Sequence, residues 1–162
     1  MKKALFIVFI ALIFLAKSSI CQGEDLKIGY ISLGRIFQEY NKVADSNKQL
    51  DVVKKELKDM IEEIKTLGKN FDQLNEKGQQ ERSKLIKDKE AEIMRSRDEL
   101  RKDEDRILRE ILKDIEQASG EIRKKGKWTY ILDDRLLIDG PEDMDLTDEI
   151  IKLLNKRYKA KE

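Results

Sequence analysis

The chain has 162 residues, with 34 Lys or Arg against 33 Asp or Glu, a net charge of +1, no histidine and one cysteine. Without histidine the usual general base and the commonest metal ligand are missing, and charge this evenly balanced argues against nucleic acid as the main partner. Neither an enzyme nor a cofactor-binding protein is expected.

Met1-Lys2-Lys3 leads into thirteen apolar residues from Ala4 to Ala16, followed by the small Ser18 and Ser19. A basic start, a short apolar run and small residues form the pattern of a secretory signal peptide. The run is shorter than the roughly 20 residues a membrane span needs, so cleavage after Cys21 is expected. A lipoprotein would instead keep Cys21 as its acylated residue, but Ile20 stands where a small residue is wanted. Removing residues 1–21 takes Lys2, Lys3 and Lys17 with it. That leaves 141 residues, 31 basic and 33 acidic, with no cysteine. Stability must then come from packing alone.

Leu26 to Ser32 is short, β-branched and aromatic, and reads as a strand. From Leu33 to about Lys125 the chain has no proline and is rich in Lys, Glu, Asp, Arg, Leu and Ile, a helical composition. Ile36, Tyr40, Val43, Asn47, Leu50, Val53, Leu57, Met60, Ile64, Leu67, Phe71 and Leu74 follow at steps of three or four, which makes a heptad seam. The second half is thinner: Ile86, Ile93, Leu100 and Ile107 recur every seven residues before the stripe thickens at Ile111, Ile115, Ala118 and Ile122. The expected break is Asn75-Glu-Lys-Gly78-Gln79, with glycine in a left-handed turn. Gly34 to Gly78 and Gly78 to Ile122 are equal spans of 44 residues. The spacing therefore predicts an antiparallel hairpin over 34–126, its arms about 65 Å long and its tip near 75–80. Gly68 is either a flexible point in the first arm or a tolerated imperfection. Asp98–Lys102, Asp105–Arg109 and Glu121–Lys125 have the favourable i,i+4 order and describe a solvated face.

Beyond Trp128 the texture changes. Trp128–Leu132 and Arg135–Ile138 are short apolar runs about Asp133-Asp134, predicting a β-hairpin, and Gly140-Pro141 ends the second run. Thr147, with Asp148 and Glu149 behind it, is expected to cap a last helix through about Tyr158. The acidic residues Asp133, Asp134, Asp139, Glu142, Asp143 and Asp145 do not have the spacing of a calcium loop and read as turn chemistry. No serine sits in a nucleophile elbow, and Gly29 and Gly34 do not make a phosphate-binding loop.

The fold class is thus α+β, mostly α: a helical hairpin on a small β-rich body built from 22–33 and 127–162. Three short strands and one helix are too little to stand alone, and their edges would be exposed. A homo-oligomer that closes the sheet into a barrel is expected. Ile28, Tyr30, Ile31, Tyr130, Leu132 and Ile138 are the candidate core of that body, with Ile36 and Phe37 packing at the root of the first arm.

The order of strand, long hairpin, two strands and short helix resembles the Skp/OmpH family of periplasmic chaperones. The residues that carry the likeness are Lys27-IGYISLGRIFQEY and Tyr130-ILDDRLLIDGPEDMDLTDEIIKLLNK; the coiled-coil middle is generic. The resemblance implies a periplasmic homotrimer with a β-barrel body and three tentacles, an ATP-independent holdase for unfolded outer-membrane proteins. It assigns Ile28–Ile31 and Tyr130–Leu132 to the trimer interface. The apolar tentacle face would meet clients through Leu57, Met60, Ile64, Leu67, Phe71, Leu74, Ile86, Ile93, Met94 and Leu100. The sparse seam between Ile86 and Ile107 suits that role better than the alternative, a structural envelope coiled coil or adaptor, which would fill both seam positions. Family members are often basic, whereas this mature chain is slightly acidic. Its tip leans positive through Lys69, Lys77, Arg82, Lys84, Lys87 and Lys89. Those residues allow a weak contact with a membrane surface or lipopolysaccharide, although a solvated face accounts for them better.

Overall fold

The computed structural model describes residues 26–160; the expected signal segment and Cys21 lie outside them. Strand β1 (Ile28–Ile31) leads into α1 (Leu33–Glu39), α2 (Asn41–Gly68), a single 3-10 turn at Phe71–Gln73 and α3 (Glu76–Gly126). Strand β2 (Tyr130–Asp133) and α4 (Thr147–Lys159) follow, with 3-10 turns at Asp134–Leu136 and Glu142–Met144 between them. The described residues are mostly helical, with one two-stranded sheet among them.

β1 and β2 pair in parallel, Ile28 opposite Tyr130 and Ile31 opposite Asp133. Parallel neighbours need a long crossover, and the helical hairpin itself is that crossover. The other edge of β1 is covered by the segment entering α4: Leu146 N–H donates to the Tyr30 carbonyl at 2.9 Å, and Ser32 N–H to Thr147 Oγ1 at 2.9 Å. β2 has no second neighbour among the described residues.

The expected β-hairpin does not form. Asp133 accepts from Arg135 N–H at 3.0 Å and from its guanidinium, an Asx-type turn that ends β2. That guanidinium holds the Asp133 carboxyl down at a pKa of about 2. Beyond it the chain tightens into a 3-10 turn instead of returning as a strand. Ile138, expected in the body core, is consequently fully exposed, as is most of Leu136.

The core lies where α1, α2, α3 and α4 meet under the sheet. Ile36, Ile150 and Leu154 are at most 1% exposed there, joined by Ile31, Ile115, Ala118 and Ile122. Phe37 packs against this cluster. Thr147 is the first residue of α4 rather than its cap; Asp145 takes its N–H at 2.8 Å. The far end of α3 closes in a Schellman motif, Trp128 N–H to the Arg123 carbonyl at 2.9 Å and Lys127 N–H to that of Lys124 at 3.3 Å. Lys27 caps the same end: its ammonium donates to the Gly126 carbonyl at 3.0 Å and lies 4.0 Å from the Trp128 ring centroid. No helix among the described residues is long and apolar enough to cross a membrane.

The arms connect through 69–75, ahead of Gly78. Asn70, not a glycine, takes the left-handed conformation (φ 58°). Gly78 lies in the first turn of α3 and donates its N–H to the capping Asn75 side chain at 2.9 Å. The expected register nevertheless holds. The ion pairs Lys42–Asp114, Lys54–Glu104 and Glu63–Lys89 have midpoints at residues 78, 79 and 76.

Candidate functional site

The hairpin is the part of the molecule that the body does not enclose, and its packing changes along its length. Near the body α2 and α3 are sealed. Val43, Leu50 and Leu57 recur every seven residues and are buried, as are Ile111 and Ile115 at the foot of α3 and Ile93 farther out. A polar network braces the same level. Tyr40 Oη donates to Asp114 Oδ2 at 3.0 Å, and the Lys42 ammonium to Asp114 at 2.8 Å and Glu110 at 3.3 Å. Burial opposes the charge on Lys42, yet these bonds outweigh it and raise its pKa. The bond from Lys42 holds Glu110 below the usual carboxylate range. Burial, then the Asp114 carboxylate, pushes the Tyr40 phenol up.

Farther out the seal loosens. Met60, Ile64, Leu67, Phe71 and Leu74 on the first arm are only partly buried, and so are Ile86 and Leu100 on the second. Of the ten candidate apolar contacts, Leu57 and Ile93 are therefore committed to the join between the arms. Met94 is 67% exposed and stands outside it.

Four further exposed apolar residues do not follow the heptad seam: Val52, Leu85, Leu108 and Leu112. The signal for the leucines is a doublet. Leu85-Ile86, Ile93-Met94, Ile107-Leu108 and Ile111-Leu112 each pair a seam isoleucine with a neighbour that is left outside. Met94, Leu108 and Leu112 are separated by fourteen and four residues, so they share one flank of α3.

At the tip, Lys84 and Lys87 line an open groove with Phe71, Gln79 and Ser83. Lys69 and Lys77 are exposed, Lys77 within 4.0 Å of Glu81. Arg82 donates to the Lys69 carbonyl at 3.2 Å, and Lys89 is held by Glu63 at 2.7 Å. The six basic residues therefore do not act as one patch. Two of them hold the tip together.

In the body, Ile28, Tyr30 and Leu132 are partly buried, Ile31 and Ile36 are buried, and Tyr130 is exposed on β2. No group of three or more acidic or cysteine side chains among the described residues is arranged to hold a metal ion.

A sheet-based body carrying a long two-helix crossover is the setting for the comparison with known proteins. The profile of the outer membrane protein (OmpH-like) family matches residues 27–154. The chain belongs to the OmpH-like family. The matched stretch runs from β1 through both arms into α4, so it takes in the body and the hairpin alike. The OmpH-like fold is also found in the crystal structure of a candidate outer membrane chaperone (OmpH-like) from Caulobacter crescentus. That structure superposes with a TM-score of 0.62 at 15% identity, over 81% of this chain and 85% of that one. At such identity the likeness is one of fold. No curated protein matches the sequence.

Proposed function

We propose that this OmpH-like protein is a non-enzymatic, ATP-independent periplasmic holdase that binds unfolded outer-membrane proteins and prevents their aggregation. The observation that carries the reading is the graded hairpin. Its foot buries Val43, Leu50, Ile111 and Ile115, while Met60, Ile64, Leu67, Phe71, Leu74, Ile86 and Leu100 farther out stay partly open around a buried Ile93. Met94, Leu108 and Leu112 stand exposed along one flank of α3. Such a surface offers many weak contacts to an unfolded chain, and multivalency then supplies retention without a folded binding pocket. Membership of the OmpH-like family and the chaperone description of the Caulobacter protein support the same reading.

In this account the working form is a homotrimer. The open edge of β2, with Tyr130, Leu136 and Ile138 beside it, is the surface a second and third copy would cover, completing a barrel that the single chain lacks. Leu57 and Ile93 keep the arms together, and Met60, Ile64, Leu67, Phe71, Leu74, Ile86, Met94 and Leu100 meet the client. The reading is tested by diluting an unfolded outer-membrane β-barrel protein from denaturant, with and without this chain at fixed salt. Suppressed light scattering without nucleotide is the expected result. Unchanged aggregation together with tight binding of one folded partner would favour a structural envelope coiled coil or adaptor instead.

A further inference from the structure

Helix α1 ends at Glu39 and α2 begins at Asn41, although no glycine or proline lies between Gly34 and Gly68. Tyr40, at the break, is extended (φ −80°, ψ 115°). A helix without glycine or proline bends this sharply where a foreign group enters its hydrogen-bond ladder. Here that group is the Asn155 side chain of α4. Its Oδ1 accepts the Asn41 N–H at 2.8 Å, and its Nδ2 donates to the Glu39 carbonyl at 3.0 Å. One amide thus takes one of the donors and one of the acceptors that the break sets free.

We propose that Asn155 is the lock on a joint in the first arm: it holds α1 and α2 bent and so sets the direction in which the hairpin leaves the body. The second arm has no such joint, since α3 runs unbroken from tip to body. The bend therefore belongs to α1–α2 alone. A wedge completes the lock. Tyr40 is 3% exposed, hydrogen-bonded to Asp114 and packed edge-on against Tyr158 with ring centroids 6.1 Å apart. Helix α4 is in turn tied to three other elements by Arg35–Asp148 at 2.8 Å, Tyr158–Asp45 at 3.3 Å and Arg157–Glu121. Local composition favours one continuous helix, and α4 supplies the groups that make the bent form the stable one. Docking of α4 and the set of the arm are then a single two-state equilibrium. This inference stands on the joint alone and does not depend on the client reading.

The test uses the full chain with Cys21 replaced by serine, so that two introduced cysteines carry the only labels. Spin labels go on exposed positions 56 in α2 and 152 in α4, with labelled chains diluted into unlabelled ones. Asn155→Leu removes both bonds, while Asn155→Asp keeps the acceptor but turns a carboxylate toward the Glu39 carbonyl. In both variants the Tyr40 Cα chemical shift should move from extended toward helical. A second 56–152 distance population above about 10% should also appear. If Asn155→Leu does not fold, Asn155→Asp alone carries the test. An unchanged Tyr40 shift and a single unchanged distance in a folded variant would overturn the proposal.

Discussion

The foot and the outer half of the hairpin are built from the same kinds of residue, yet they differ in what those residues do. At the foot, Val43, Ile111 and Ile115 are buried, and Tyr40, Lys42, Glu110 and Asp114 form one hydrogen-bonded group beside them. In the outer half the heptad positions continue, but Ile64, Phe71, Ile86 and Leu100 remain partly open. The foot has two further helices over it, since α1 and α4 pack on the α2–α3 pair, whereas the outer arms have only each other. A two-helix seam buries one stripe of each helix and leaves its flanks wet. Heptad spacing alone does not distinguish a sealed position from an open one; covering helices seal the foot, and in the outer half only single positions such as Ile93 are closed by the two arms themselves.

The contrast can be broken at its strong end first. Ile36→Ala empties a site with no solvent exposure and should cost about 2–5 kcal/mol in chemical denaturation, whereas Ile64→Ala should cost well under half of that. Equal losses at the two sites would remove the distinction. Next in size is Tyr40→Phe, which leaves Asp114 short of one donor in a partly buried network. A loss of about 1–3 kcal/mol is expected in the same assay.

At the weak end, replacing Met60, Ile64, Phe71 and Met94 together by serine should leave the sedimentation of the assembly unchanged and markedly reduce its ability to keep a client soluble. Unchanged holding by a well-folded variant would remove those residues from the client surface. The smallest effect is a pH dependence. Glu110 has its pKa depressed below 4.5 in the folded chain, chiefly by the bond from Lys42. Its contribution is therefore present above that value and is lost as pH falls through the lower folded one. Denaturation midpoints measured from pH 6 down to pH 3 should decline less steeply in Glu110→Gln than in the unaltered chain.

Much of this architecture was legible in the sequence, because it rests on local signals. Ile28–Ile31 and Tyr130–Asp133 are strands where β-branched and aromatic residues cluster, and the interarm register follows from equal spans about Gly78. What was not legible depends on distant partners. The break at Tyr40 has no local cause; it exists because Asn155, 114 residues downstream of Asn41, enters the ladder. Asn70 rather than Gly78 carries the left-handed turn because Asn75 and Gly78 are used in starting α3. Arg135–Ile138 has a strand-like pattern, but no backbone among the described residues pairs with it, and it turns instead. Family and general shape were accessible from the flanking segments. The division of the apolar stripe into sealed and open parts was not, since Leu57 and Met60 hold equivalent seam positions and only the packing of one arm on the other buries the first and leaves the second partly open.

Hydrogen exchange along the chain, with and without a saturating unfolded β-barrel protein, tests the central claim most directly. The account predicts added protection across the outer arms, from about Leu57 to Leu100, with the body from Ile28 to Ile36 and α4 unchanged. Protection confined to the body, or to the sealed foot around Tyr40 and Asp114, would contradict it.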